Sequence, residues 1–204
     1  CGKSTLLRMI AGLEEISRGI LTIGAATSIA EAQALDAAGV DAIVASGFEA
    51  GGHRPSFLAR AEDSLMGTFV LVPLIADRVR AAVIAAGGIA DARGVRAALT
   101  LGAQAAQIGT AFLACDESAA SEVHRARLFS AVAQSTTLTR AFSGRLARGL
   151  RNRWTDTMSA RSDMPPFPVQ SWFTGQMRTA ALAQGRDDLV SLWSGQIAPN
   201  LRHR

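Results

Sequence analysis

Three short apolar runs in this chain each end in a glycine turn, an arrangement typical of parallel strands in an α/β fold. The runs are Asp41–Ala45, Val83–Ala86 and Gln104–Ile108. The turn Gly87-Gly88 follows the second run, and an amphipathic segment, Ala92–Leu101, then leads to the third. Strand, helix and strand in this order form the repeating unit of a parallel sheet. The sequence therefore predicts the α/β class.

A histidine lies in the loop after the first of these runs, within Glu49-Ala-Gly-Gly-His-Arg54. The carboxyl ends of parallel strands are where α/β folds place their chemistry, so His53 is a candidate catalytic residue. The alternative is a surface turn in which the histidine is incidental, because loops commonly collect glycine and polar residues.

The turns after the other two runs predict a phosphate site. Gly87-Gly88 and Gly109-Thr110 would follow successive strands, as the phosphate-binding turns of many (β/α)8 barrels do. Backbone N–H groups without a covering side chain, together with the Thr110 hydroxyl, can bind phosphate oxygens.

These residues resemble a known family, the nitronate monooxygenases, once called 2-nitropropane dioxygenases. The resemblance runs from about residue 26 to the C-terminus. It is carried by Glu49–Arg54, Ala85–Asp91, Gln107–Phe112, Leu138–Gly144, Ala147–Asn152 and Leu192–Gln196.

The resemblance implies an FMN-dependent TIM barrel that oxidises alkyl nitronates or nitroalkanes with O2 to a carbonyl compound and nitrite. It implies that His53 is the active-site histidine. His124 and His203 show no spacing with Cys, Asp or Glu that suits a metal, so we expect none. Ser46 falls where the family usually has glutamine. With the glycine turns, the candidate cofactor-binding set is Ser46, Gly51, Gly87, Gly88, Gln107, Ile108, Gly109 and Thr110. An FMN-dependent enoyl-thioester or quinone reductase of the same barrel family is the alternative activity.

The number of strands predicts part of a barrel. About four strands can be counted, whereas a (β/α)8 barrel has eight. We therefore expect a partial TIM barrel, roughly the last four βα units plus C-terminal helices, with residues 25–204 as a C-terminal half. An active enzyme and a degenerate one both remain open.

The N-terminus has a different resemblance. Cys1-Gly-Lys-Ser-Thr5 matches the end of a Walker A motif, and residues 1–24 resemble the ATP-binding domain of an ABC transporter. The first glycine of the motif is absent from this sequence, and no Asp-Glu pair for magnesium follows. We therefore disfavour an ATP-binding module and expect no ATPase activity.

Composition agrees with a soluble α/β protein in a reducing cytosol, and the resemblance implies small-molecule partners, a nitronate or nitroalkane and O2. The chain has 204 residues, a formal charge of +4 and two cysteines, Cys1 and Cys115, too few for a disulfide framework. We expect no membrane span and no nucleic-acid partner, although arginines crowd residues 140–153. Exposed sheet edges predict self-association.

Several local patterns predict further elements. Ser28-Ile-Ala-Glu31 is typical of a capping box, and a strand is expected at Leu21–Gly24 before it. Pro73 should kink or divide a helix over Thr68–Val79. We expect a further helix around Ser121–Ala133, and one or two closing helices over Gln170–Trp193 with Trp172 and Trp193 packed inward.

Overall fold

The computed structural model describes residues 21–202, which form two compact units. The first unit consists of residues 21–48 and 55–108. The second consists of residues 49–54 and 109–202, so a short segment around His53 belongs to it rather than to its chain neighbours. The predicted ABC-like segment, residues 1–24, lies almost wholly outside the described residues.

The elements alternate between strands and helices in the first half of the chain and become mixed in the second. The strands are β1 Ile23–Ala26, β2 Ala42–Ser46, β3 Gly52–His53, β4 Ala82–Ala86, β5 Ala105–Gln107, β6 Thr136–Thr139 and β7 Ala147–Leu150. The helices are α1 Ile29–Ala37, α2 Thr68–Ala76, α3 Ala92–Thr100, α4 Glu122–Leu128, α5 Arg153–Met158 and α6 Val169–Ala183. Short 3-10 helices cover Ala61–Asp63, Thr110–Ala114, Ala131–Gln134, Asp187–Leu189 and Ala198–Asn200.

The first unit contains a four-stranded sheet in the order β1-β2-β4-β5, and all three of its pairings are parallel. This confirms the predicted α/β class with four strands in a parallel sheet. Strand β1 runs from Ile23 to Ala26 rather than from Leu21 to Gly24, and the N–H and hydroxyl of Thr22 before it donate to the Asp41 carboxylate.

Burial on both faces explains why the central strands are continuous apolar runs. Every residue of β2 and of β4 is buried. On one face Ile43 and Val83 pack with Leu71 and Ile75 of α2, while Val44 and Ile84 belong to a cluster on the other face. Parallel strands covered on both sides need no polar alternation, which is why both appear in the sequence as short continuous apolar runs.

The helices of the first unit follow their predicted caps, with one difference. The Asp91 carboxylate accepts hydrogen bonds from the N–H groups of Arg93 and Gly94, and α3 follows it directly. Pro73 does not divide its helix, since α2 runs unbroken from Thr68 to Ala76, although it ends before the predicted Val79. A proline in the second turn removes a single backbone donor, and the helix tolerates it there.

Glu31 forms only half of the predicted capping box. Its N–H donates to the Ser28 hydroxyl at 3.3 Å, as expected. Its carboxylate, which is fully buried, instead accepts hydrogen bonds from the Thr27 N–H and hydroxyl at 2.7 Å each. The other oxygen accepts from the N–H groups of Phe57 at 2.6 Å and Leu58 at 3.1 Å. Glu31 thus links the first turn of α1 to the backbone of Phe57 and Leu58.

The second unit contains an antiparallel sheet that the sequence did not predict. Its strand order is β3-β7-β6, with His53 opposite Ala147 and Gly52 opposite Arg148. The prediction that His53 lies in a loop is therefore wrong, because Gly52 and His53 form a short strand. Strand β7 holds an arginine and a glycine, which hide its apolar pattern.

Arg148, one of the arginines in the segment 140–153, is buried rather than exposed to solvent. Its Nη1 donates to the Thr136 hydroxyl at 3.1 Å, and Glu49 supplies an opposing charge. Residues 140–153 are therefore not a continuous exposed basic surface.

The C-terminal segments differ from prediction in two places. The helix expected over Ser121–Ala133 is split into α4 and the 3-10 helix Ala131–Gln134. Trp172 was expected to pack inward, which is wrong because it is 71% exposed on α6. Trp193 lies outside the helices, and its backbone forms an isolated antiparallel bridge with Gly149 of β7.

Two negative observations concern the described part of the chain. Between residues 21 and 202, no helix combines the length and the apolar character that crossing a bilayer requires. Over the same residues, no three side chains of the histidine, cysteine, aspartate and glutamate types cluster as metal ligands.

Glu31→Gln should destabilise the protein, because an amide nitrogen would face N–H donors that the carboxylate now satisfies. We expect a loss of about 1–3 kcal/mol for each buried group left unpaired. The measurement is urea unfolding at neutral pH, with the exposed Glu117→Gln as control, expected within about 0.5 kcal/mol of the wild type.

The difference in unfolding free energy between the wild type and Glu31→Gln should depend on pH. Burial alone would raise the pKa of Glu31, but the hydrogen bonds from Thr27, Phe57 and Leu58 outweigh it and lower that pKa. The advantage of wild type over Glu31→Gln is therefore full above the unfolded pKa of about 4.3 and lost as pH falls through the folded value. A difference that stays constant down to pH 2 would contradict this account.

Candidate active site

Two of the predicted site residues end strands at the carboxyl edge of the parallel sheet. Ser46 ends β2 and Gln107 ends β5, and both lie in register with Ala86, the last residue of β4. Ser46 is buried, whereas Gln107 is exposed. Because parallel strands end together, this edge gathers the residues that follow each strand.

The turn Gly87-Gly88 leaves β4 at this edge with both residues in the left-handed region, at φ values of 108° and 72°. Glycine alone adopts these angles without strain, so the turn depends on both residues. The Thr68 hydroxyl lies 3.0 Å from the Gly87 carbonyl oxygen and fixes the turn to the start of α2. Gly88 is exposed, so its backbone is open to a ligand.

In the second unit, Gly51 and Thr110 lie together around Gly195. The Thr110 hydroxyl oxygen accepts a hydrogen bond from the Gly195 N–H at 2.9 Å, and the Thr110 side chain is buried. A Cβ at Gly51 would lie 2.6 Å from the Gly195 nitrogen, and a Cβ at Gly195 would lie 3.2 Å from the Thr110 hydroxyl. Gly51 is thus required by close backbone packing, whether or not it also contacts a ligand.

Gly109 has the opposite environment. It is exposed, its φ is −104°, and a Cβ built on it would meet nothing within 4 Å. Since neither conformation nor packing demands glycine there, the open space is suited to a ligand that approaches the main chain. Gly88 and Gly109 therefore both fit the needs of a bound phosphate, each within its own unit.

His53 makes one side-chain hydrogen bond among residues 21–202. Its Nε2 lies 2.7 Å from the hydroxyl of Ser143, a buried residue in the connection between β6 and β7. The ring contacts two aromatic side chains, with centroid distances of 5.4 Å to Trp193 and 6.1 Å to Phe167. The residue as a whole remains exposed, so a small molecule can reach it.

The electrostatic surroundings favour neutral imidazole. Partial burial of the ring, and then the positive charge of Arg145, lower the pKa of His53 from its usual 6.5. Among the described residues, no carboxylate counters that effect. The carboxylate of Glu49 interacts with Arg148 instead. His53 is accordingly unprotonated near neutral pH, the state that a general base requires.

The candidate residues thus divide between the two units. Ser46, Gly87, Gly88, Gln107 and Ile108 belong to the first, and Gly51, His53, Gly109 and Thr110 to the second. Sequence reasoning missed Ser143 and Trp193 as neighbours of His53. Both stand in segments that carried the family resemblance, but linear spacing gives no sign that they meet His53.

The architecture and the polar groups around His53 define an α/β protein with an enzyme-like site. Comparison with known proteins identifies the family, because the nitronate monooxygenase profile matches residues 10–203. The chain belongs to the nitronate monooxygenase family. The match includes part of the segment that resembles an ABC transporter, and that resemblance stays a prediction.

Curated relatives agree with this membership. A probable nitronate monooxygenase of Staphylococcus aureus (strain Newman) is 49% identical over 176 residues, covering 85% of this chain and 50% of that protein. The corresponding protein of strain JH9 is 49% identical over 179 residues, covering 87% and 50%. The chain therefore spans about half the length of the curated relatives it matches.

Solved structures match over most of the chain. A nitroalkane oxidase from Streptomyces ansochromogenes is 36% identical with a TM-score of 0.85, over 98% of this chain and 56% of that one. FabK from Thermotoga maritima is 33% identical with a TM-score of 0.72, over 89% of this chain and 55% of its own.

Gly51→Ala should destabilise the protein even without a ligand, because the new Cβ would overlap the backbone of Ser194 and Gly195. We expect a loss of about 1–3 kcal/mol, as for other overpacked sites. Urea unfolding measures it. The matched control is Gly175→Ala in α6, where a Cβ meets nothing within 4 Å and a gain of about 0.5–1 kcal/mol is expected. Equal effects in the two variants would rule out the packing role.

Proposed function

We propose that this chain is a nitronate monooxygenase-type flavoenzyme segment that uses His53 to oxidise nitroalkanes or nitronates with O2. The observation that carries the proposal is an exposed imidazole, with a lowered pKa, that is bonded to a buried hydroxyl in a member of this family. This chain spans about half the length of the curated relatives, so the activity of the whole protein is part of the proposal.

A neutral nitroalkane must lose a proton from the carbon beside its nitro group before it can be oxidised. The imidazole of His53 can take that proton, and its lowered pKa keeps it ready near pH 7. Arg145, whose positive charge acts on His53, can favour the negative charge that develops on the nitro oxygens. Phe167 and Trp193 flank the ring and exclude part of the surrounding water.

We propose FMN as the cofactor. When bound, it would accept the two electrons that the substrate gives up and pass them to O2. The open backbone at Gly87-Gly88 in the first unit and that at Gly109 in the second each leave room for a phosphate group. Ser46, Gly51, Gln107, Ile108 and Thr110 are the other proposed cofactor-binding residues. Residues 1–24 are proposed as an ABC-like remnant without ATPase activity.

Gly109→Ala should weaken FMN binding while leaving stability nearly unchanged, because its Cβ would fill space that no protein atom occupies. Loss of one charge-assisted hydrogen bond to phosphate costs about 1.5–3 kcal/mol, roughly tenfold or more in affinity. Titration followed by flavin fluorescence measures the affinity, with Gly175→Ala as control. Equal affinity in all three proteins would place the phosphate elsewhere. Gly88 is a poorer test site, since any side chain there is strained at a φ of 72°.

His53→Ala should impair oxidation of a neutral nitroalkane far more than oxidation of its pre-formed nitronate. A lost general base costs about 10²–10⁴-fold in kcat/KM, whereas the nitronate has already lost its proton. In the unsubstituted protein, kcat/KM for the nitroalkane should fall as pH decreases through a pKa below 6.5, since protonated imidazole cannot act as a base.

The assay follows O2 consumption and nitrite release in FMN-loaded protein. Equal losses for both substrates would exclude the base role of His53. Reduction of an enoyl thioester or a quinone without nitrite formation would favour the alternative reductase activity.

A further inference from the structure

We propose that Ser143 is the positioning residue of His53: its hydroxyl accepts a hydrogen bond from Nε2–H, leaving Nδ1 as the nitrogen that receives the substrate proton. The identity of the substrate rests on the proposed function. The tautomer of His53 is inferred from the contacts of Ser143 alone. Histidine has two ring nitrogens, and the partner of one decides the role of the other.

Within the described residues, the Ser143 hydroxyl has three hydrogen-bonding neighbours and a single proton to donate. It lies 2.7 Å from His53 Nε2, 3.1 Å from the Arg145 carbonyl oxygen and 3.3 Å from the Arg145 backbone nitrogen. The carbonyl can only accept and the backbone N–H can only donate. All three contacts are satisfied together when the hydroxyl donates to the Arg145 carbonyl and accepts from both nitrogens. Donation to Nε2 instead would place the hydroxyl lone pairs against the carbonyl oxygen.

The position of Ser143 is fixed independently of His53. Two residues before Ser143, the Ala141 carbonyl accepts hydrogen bonds from the side-chain amide of Gln170 at 2.8 Å and the indole N–H of Trp154 at 3.1 Å. The Phe142 carbonyl accepts from the Thr174 hydroxyl at 2.6 Å. Gln170 and Thr174 are both buried on α6. A hydroxyl held in this way orients the imidazole without first reorganising, as a preorganised site requires.

Gly144 adds a steric constraint on the same connection. Its φ is 80°, and a Cβ there would lie 2.4 Å from the Pro165 carbonyl oxygen. The chain therefore passes directly over residues 165–167, which also supply the Phe167 ring beside His53. The connection between β6 and β7 thus packs directly against the segment that places the Phe167 ring beside His53.

A hydroxyl partner has a different effect from a carboxylate. A carboxylate on Nε2 would stabilise imidazolium and raise the pKa, whereas a neutral hydroxyl does so only weakly. Arg145 is the charged side chain that acts on His53 among residues 21–202, and it opposes protonation. The arrangement keeps the base neutral and directs its free lone pair at Nδ1, which has no side-chain hydrogen bond within the described residues.

The direct test is two-dimensional ¹H–¹⁵N NMR of the imidazole groups in the flavin-free full chain. The chain has three histidines, so His53→Gln assigns the signals. We expect the neutral Nε2–H form in wild type, a mixture of both tautomers in Ser143→Ala, and recovery of the Nε2–H form in Ser143→Thr. The matched control is Ser130→Ala, which removes a hydroxyl bonded to the Arg127 carbonyl in the same unit.

Loss of Ser143 should also lower the pKa of His53 further, because imidazolium loses its acceptor at Nε2. In FMN-loaded protein, kcat/KM for a neutral nitroalkane should fall about 10–100-fold in Ser143→Ala, as expected for a misplaced base, and recover largely in Ser143→Thr.

An Nδ1–H tautomer in wild type, or an unchanged tautomer in Ser143→Ala, would overturn the proposal. The wild-type spectrum decides even if Ser143→Ala fails to fold. If the tautomer is as expected but no protein oxidises nitroalkanes, the proposed function fails and the orientation of His53 by Ser143 stands.

Discussion

The pairing of β3 with β7 is the constraint on which the candidate active site depends. It takes Gly52 and His53 out of the loop that follows a parallel strand and places them beside Ala147 and Arg148, far along the chain. Backbone hydrogen bonds in this ladder set the position of His53 more firmly than a glycine-rich loop could. Closure of such a long loop costs entropy, which must be offset by the contacts that the segment makes in the second unit.

Those contacts extend on both sides of His53. Before it, Gly51 packs against the backbone of Ser194 and Gly195, and the Glu49 carbonyl accepts a hydrogen bond from Gln196. After it, the Arg54 N–H donates to the Leu146 carbonyl at 2.9 Å. The segment is therefore bonded along its whole length, and the ring of His53 projects from a fixed backbone. The proposed role of His53 as a base requires such a fixed backbone, because proton abstraction depends on a defined position of the imidazole.

The buried charges follow one physical rule, that a charge in the interior must be satisfied by hydrogen bonds. Glu31 meets it with backbone donors from Phe57 and Leu58, and Arg148 meets it with Thr136 and the charge of Glu49. His53 is different, since its neighbours favour the uncharged state. A group kept neutral while its surroundings carry charge is typical of a catalytic base rather than of a structural ion pair.

The sequence by itself determined the parallel sheet, because β2 and β4 are buried on both faces and so appear as continuous apolar runs ended by glycine. It also determined the caps at Ser28 and Asp91, which depend on local chemistry within a few residues. Only the tertiary structure decided that Ser143 meets His53, that Gly51 is required by packing and that Arg148 is buried. Each of these depends on contacts between residues distant in the chain, and neither residue type nor spacing encodes such contacts. The antiparallel sheet was missed for the same reason, since β3 has only two residues and its partner, β7, lies far along the chain.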